Sequence, residues 1–295
     1  MKKMFRVLTL VFFILLYVNV QHSGVGKKNR GTFYVIGTGP AGPQLATLQA
    51  LETIKQMDML AAPSELLELF DDYTGNKPVL FDPLKGLYDY KGKFFRQLSG
   101  EEMIDFKKER LRLRKERVEL IKSRLDKGQN IGLLDSGNPC LFAPGQWYAE
   151  QFDPQDLVII PGMGSDAAAM AALAKSVIPA FDTRFVIQTS PVYLINRQNM
   201  SDLQMLKDIS EYPNTMILYM AVGMPERLFS ILAKIYPPDM PCAVVYWAGF
   251  PDRQRIIRGT ITDMGQKLLK EEEKYMGLLL IGRFLEGKPY DAAVK

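Results

Sequence analysis

From residue 31 onward the hydrophobic pattern alternates between two periods. Unbroken apolar runs such as "TFYVIGTG", "MDMLAAP" and "CAVVYWAG" read as buried strands. Stretches with apolar residues three and four apart, such as "PQLATLQALETIKQ" and "PERLFSILAKIY", read as amphipathic helices. This alternation predicts an α/β body. In the first half, "SELLELFDDY" reads as a helix with Ser64 as its cap. Residues 73–98, rich in Gly, Lys, Tyr and Phe, read as an irregular excursion. Ser99 and Glu102 form a capping box that opens a long charged helix ending near Gly128. Its basic face is interleaved with Glu109, Glu116 and Glu119 and reads as solvated rather than as a binding helix, the alternative, with Val118, Ile121 and Leu125 turned to the core. The break "IPAFDTR" divides an N-terminal α/β domain, 31–180, from a C-terminal α/β domain, 181–295, which carries "RFVIQTS", "TMILYMAV", "RQRIIRGTITDM" and "GLLLIGRFL".

Residues 1–30 stand apart. A basic start, Lys2, Lys3 and Arg6, runs into an apolar stretch across residues 5–20, the pattern of a signal peptide or membrane anchor. Lys27, Lys28 and Arg30 on its far side leave the orientation of an uncleaved anchor undetermined. The alternative is an over-extended gene start on a cytoplasmic protein.

The bulk composition mainly excludes. The chain has 295 residues and a net charge of +4, too mild for a dedicated nucleic-acid surface and compatible with an anionic small molecule. Cys140 and Cys242 are the only cysteines, so there is no disulfide framework or thiolate zinc site. The sole histidine, His22, lies in the N-terminal segment, which removes histidine metal centres and Ser-His-Asp triads from the folded body.

"YVIGTGPAGPQLATLQALE", residues 34–52, places Gly37, Gly39 and Gly42 at dinucleotide-fingerprint spacing. The rest of that motif is missing. Pro40 and Pro43 remove amide donors that a phosphate needs, and the next strand ends Ala61-Ala62-Pro63 where a ribose-binding acid belongs. Several other strands also end in tight loops: "DSGNPCLF", "IPGMGSDAAA", "ILYMAV", "CAVVYWAG" and "IIRGTITDM".

In this order and spacing, these segments resemble the tetrapyrrole methylase family, S-adenosylmethionine (SAM)-dependent enzymes acting on precorrins, uroporphyrinogen and related macrocycles. The resemblance covers about residues 32–285. It implies two α/β domains with the cofactor in the cleft between them, and a homodimer. It also implies cofactor-binding roles for Pro40, for Ser136, Gly137, Asn138 and Leu141 of the second loop, and for Gly164 and Ser165 of the third. Met220, together with Ala243 and Ala248 of the strand Cys242 to Ala248, completes that set. Asn138 stands where the family has aspartate, keeping an acceptor oxygen but losing a charge. Gly42 replaces the acid of the first loop, and Pro63 stands where uroporphyrinogen methylases end a strand in aspartate. These departures argue against uroporphyrinogen as acceptor and leave open a tethered protein that binds SAM or a tetrapyrrole without turnover.

Methyl transfer from a sulfonium needs alignment and exclusion of water rather than metal or histidine chemistry. Residues 77–96 offer Lys77, Lys85, Lys91, Lys93 and Arg96 beside Tyr88, Tyr90, Phe94 and Phe95, either as an acceptor trough for a tetrapyrrole or as an exposed loop over packed rings. Trp247 reads as core.

Overall fold

The computed structural model describes residues 30–178, 183–196 and 200–286. The apolar segment 5–20, His22 and most of the break at "IPAFDTR" lie outside the described residues, and no described helix is long and apolar enough to cross a membrane.

The first half is built in order from β1 (Phe33–Gly37), α1 (Leu48–Gln56), β2 (Met59–Ala61), α2 (Ser64–Leu69), α3 (Asp71–Thr74), β3 (Val79–Phe81), the hairpin β4 (Asp89–Tyr90) and β5 (Lys93–Phe94), α4 (Gly100–Leu125), β6 (Ile131–Asp135), α5 (Gly145–Ala149), β7 (Leu157–Ile160) and α6 (Ser165–Leu173). Five strands form a sheet of order β3-β2-β6-β1-β7, and every pairing in it is parallel. Strand alternation sorts the side chains. Phe33, Val35, Ile131 and Leu133 pack against Val118, Ile121 and Leu125 of α4 and Tyr148 of α5. Ile36 and Leu134 face the opposite way, onto Ala50, Leu51 and Ile54 of α1 and onto Phe70. Both faces are covered, which is why these strands read as continuous apolar runs.

The second half comprises β8 (Phe185–Thr189), α7 (Pro191–Asn196), α8 (Met200–Ser210), β9 (Asn214–Leu218), α9 (Pro225–Leu232), β10 (Pro241–Tyr246), β11 (Arg255–Thr260), α10 (Met264–Leu269) and β12 (Gly277–Ile281). Its sheet has the order β11-β10-β12-β9-β8. Only β8 and β9 run parallel, and the other pairs are antiparallel. Met216, Leu218, Val244, Tyr246 and Leu279 face α9 and α10. Ile217, Ala243, Val245 and Leu280 face Ala168, Ala169, Met170 and Leu173 of α6. Helix α6, which follows the last strand of the first sheet, therefore packs on the second sheet and ties the halves together.

The capping box of α4 forms as expected: Ser99 Oγ accepts from Glu102 N at 3.3 Å and Glu102 Oε2 accepts from Ser99 N at 2.9 Å. The expected cap of α2 shifts by one residue. Pro63 occupies the cap position and Ser64 is the first helical residue, its hydroxyl turned to Glu65 at 3.3 Å.

Candidate functional site

The loops after β1, β6 and β7 all leave the C-terminal edge of the first sheet, where parallel sheets present ligand sites. They meet backbone to backbone. Thr38 N and Thr38 Oγ1 donate to the Asp135 carbonyl at 2.9 and 3.1 Å, and Gly137 N donates to Gly39 O at 2.8 Å. A Cβ on Gly162 would stand 2.1 Å from Gly137 O, and one on Gly37 would stand 2.5 Å from Gly162 N. The glycine spacing that imitates a dinucleotide fingerprint thus serves close packing of three loops.

Between this edge and the second sheet lies a cavity of about 220 Å³. Pro40, Ser136, Gly137, Asn138, Leu141, Gly164 and Ser165 line it from the first half, and Met220 and Ala248 from the second. Ala243 alone of the expected residues does not. It is fully buried under α6, and Val245, two residues along the same strand face, lines the cavity instead. Asn138 Oδ1 also accepts from Cys140 N at 2.9 Å, so the side chain shapes its own turn at the cavity edge. Cys140 is exposed and Cys242 buried, both as free thiols. Burial pushes the Cys242 thiol up to about 12.

Sequence reasoning missed the aromatic wall. Phe142, Tyr219, Trp247, Phe250 and Tyr275 line the cavity. Trp247 serves both: it is partly buried against the core of the second half and lines the cavity, with Arg253 over its ring, 3.2 Å from the centroid. Phe142, Met220 and Trp247 have φ of 56°, 57° and 50°. For bulky side chains this left-handed conformation costs energy, and such residues cluster where a ligand is gripped. Tyr219 donates to Gln188 Oε1 at 3.2 Å. Its hydroxyl pKa is raised, chiefly by burial and then by Asp166 beside it.

One buried acid sits against the second loop. Asp135 closes β6, is 6% exposed, and its Oδ2 accepts from Gly145 N at 2.7 Å. Burial pushes its carboxyl up to about 6 against the pull of the Gly145 and Ser136 amides. Nearby, Arg110 and Arg114 of α4 lie over the rings of Phe106 and Trp147, 5.0 and 4.4 Å from the centroids. Most of the expected loop cations are otherwise engaged or lie off the cavity. Lys93 pairs with Glu102 at 2.7 Å and Lys91 lies over Tyr90 at 5.0 Å. Phe95 packs against Tyr88, Phe94 and Phe106.

The profile of the family Tetrapyrrole (Corrin/Porphyrin) Methylases matches residues 32–265, most of the chain and both halves of the cavity. The chain belongs to that family. This methylase is 25% identical over 265 residues to a cobalt-precorrin-4 C(11)-methyltransferase of Methanocaldococcus jannaschii, a match that spans 89% of this chain and 91% of that one. A uroporphyrinogen-III C-methyltransferase of Priestia megaterium is 23% identical over 257 residues, spanning 85% and 97% of the two chains. Among solved structures, a cobalt precorrin-4 methyltransferase superposes with a TM-score of 0.66 at 21% identity, over 90% of this chain and all of that one. A Thermus thermophilus uroporphyrin-III C-methyltransferase, solved with S-adenosyl homocysteine, superposes with a TM-score of 0.59 at 17% identity, over 87% and 99%. Both likenesses are of fold. Family membership makes the chain a SAM-dependent methyltransferase of the tetrapyrrole methylase type.

Proposed function

We propose that the cavity between the two sheets is the SAM site of this methylase, and that the acceptor is a precorrin-level macrocycle presented from the side of α4. The observation that carries the reading is convergence: segments drawn from residues 40–278 close one cavity whose two walls differ in kind. The first-half wall brings the start of α6 at Gly164 and Ser165, where helix amides favour a carboxylate, beside the side chains of Leu141 and Phe142. The second-half wall is aromatic and sulfur-rich, with Tyr219, Trp247 and Met220 offering polarizable faces to a sulfonium and an adenine. An amphipathic donor with an acid at one end and an aromatic base at the other fits these walls.

When bound, SAM supplies an electrophilic methyl group on a sulfonium that departs as a neutral thioether. The chain's own residues hold it in position. Gly37, Gly137 and Gly162 lock the three loops together, the strained Phe142 is fixed on the same side, and the strained Met220 and Trp247 are fixed on the opposite wall. Such positioning is worth roughly 7–11 kcal/mol of barrier.

The relatives named above act, by their names, on cobalt-precorrin-4 and on uroporphyrinogen III. Pro63 caps α2 where an acid would end β2, which favours the precorrin-level acceptor. The test is calorimetric titration with SAM and its demethylated product, followed by transfer of labelled methyl to cobalt-precorrin-4 and to uroporphyrinogen III. Micromolar binding with transfer to the former is expected. Absence of SAM binding at high micromolar concentration would overturn the reading, and tight binding without transfer to either acceptor would leave a binding protein.

A further inference from the structure

The inward stripe of α4 runs Phe106, Arg110, Arg114, Arg117 and Ile121 at helical spacing. Phe106 and Ile121 are fully buried, so three guanidiniums continue a face that is otherwise hydrophobic. Arg117 is satisfied where it lies, donating to Lys85 O at 2.7 Å, Tyr148 Oη at 3.3 Å and Pro83 O at 3.4 Å. Arg110 and Arg114 are not. No described residue gives either one a hydrogen bond or ion pair, and the Nε of each is buried without a partner. The contrast with Arg112 is on the same helix: it points outward and is held by Glu109 and Glu116.

The arrangement is unfavourable as it stands. Burial, and then the neighbouring charge of Arg110, lower the pKa of Arg114. Two half-buried like charges one helical turn apart are compensated only when an anion joins them. The rings of Phe106 and Trp147 hold the guanidinium planes in place without occupying their hydrogen-bond donors. Asp135 does not neutralise them. It forms no ion pair with either arginine, and its Oδ2 is engaged by Gly145. Tyr88 links the two: burial raises its pKa, and it feels the charges of Asp135, Arg114 and Arg110 together, while the residue after Asp135, Ser136, lines the donor cavity.

We infer that Arg110 and Arg114 form a carboxylate-binding site for the methyl acceptor, taking one acidic side chain of a polycarboxylated macrocycle between the two guanidiniums, with Tyr88 alongside. The inference rests on the donor cavity proposed above. A planar carboxylate matches two guanidiniums already fixed on aromatic faces, and charge-assisted hydrogen bonds of this kind are the strong ones. Anchoring one edge of the ring system here sets which carbon of the acceptor reaches the cavity, so the pair fixes position as well as affinity.

The test uses the full chain with uroporphyrin III, a polycarboxylated porphyrin, titrated by quenching of tryptophan fluorescence in the presence of S-adenosyl homocysteine. The tetra-cationic porphyrin of similar ring size serves as control. Arg110→Gln and Arg114→Gln are each expected to weaken uroporphyrin binding by about 10-fold to 100-fold and to flatten its salt dependence. Arg114→Lys falls between, and Arg112→Gln leaves binding unchanged. SAM affinity, measured in parallel by calorimetry, stays within about twofold of wild type in all variants, which shows that the fold is intact. The inference is overturned if both single Gln variants bind uroporphyrin as wild type does, if Arg112→Gln weakens binding as much as Arg114→Gln, if the cationic porphyrin binds equally well, or if the wild-type chain does not bind uroporphyrin at all. Arginine-dependent uroporphyrin binding in a chain that fails to bind SAM would overturn the donor reading instead.

Discussion

At Asp135 the position of one carboxyl group in the sheet decides its chemistry. Its pKa is raised from the ordinary carboxylate range to about 6 because burial outweighs two amide donors. A carboxyl whose folded pKa is raised binds its proton more tightly in the native state. Its stabilising contribution is therefore complete below about pH 4 and is lost as pH rises to about 6. Asp135→Asn keeps an acceptor for Gly145 N and removes the buried charge. It is expected to raise unfolding free energy at pH 7.5 by up to ~3 kcal/mol and to leave it unchanged at pH 4, read from urea melts at the two pH values. Glycine positions give a second test at this scale. Gly162→Ala drives a methyl group against Gly137 O and is expected to cost about 1–3 kcal/mol and to weaken SAM binding with it. Gly100→Ala, in the first turn of α4 with open space around it, is expected to be neutral or stabilising by up to ~1 kcal/mol. Equal losses at both sites would contradict the account of the three loops.

Helix α4 shows how far an element can be understood from its own residues. Its start was legible because the Ser99–Glu102 box is a local device, and Ser99→Ala is expected to cost about 1 kcal/mol in a thermal melt. Its buried positions Val118, Ile121 and Leu125 were legible from periodicity. Its basic residues were misread as one solvated face. Arg112 and Lys115 do sit there, each with a glutamate three or four positions away. Arg110 and Arg114 have no acidic residue at those spacings on either side, and that gap is the signal that separates them. What they point at was not legible, because Trp147 and Tyr88 reach the pair from other elements. The same holds for residues 77–96, where the hairpin β4–β5 carries Phe94 to within 5.4 Å of the Tyr275 ring, joining an excursion of the first half to the cavity wall of the second.

For the molecule as a whole, the cavity is shared between sheets of different construction, one fully parallel and one mostly antiparallel, with α6 packed across the junction. A ligand that fills it touches both halves, so binding and unfolding are linked. SAM or S-adenosyl homocysteine at about one hundred times its Kd is expected to stabilise the chain by ~2.7 kcal/mol, a rise of a few degrees in Tm. Differential scanning calorimetry checks this, and a Tm that does not respond to either compound contradicts the placement of the site.

The sequence by itself determined what depends on neighbours along the chain: most of the strands and helices, the capping box of α4, the turns that end strands in glycine, and the absence of histidine from the folded body. The order of the loop motifs carried the family and, with it, most of the cavity lining. Only the tertiary structure decided which face of each element a residue serves. Ala243 was placed in the core and Val245 at the cavity, Trp247 was set between the core and the cavity, Asn138 was engaged by its own turn, and two arginines on the inside of a helix were left without a hydrogen bond. The reason is that local propensity acts within a few residues, whereas burial, charge pairing and the approach of one backbone to another are set by segments a hundred residues apart.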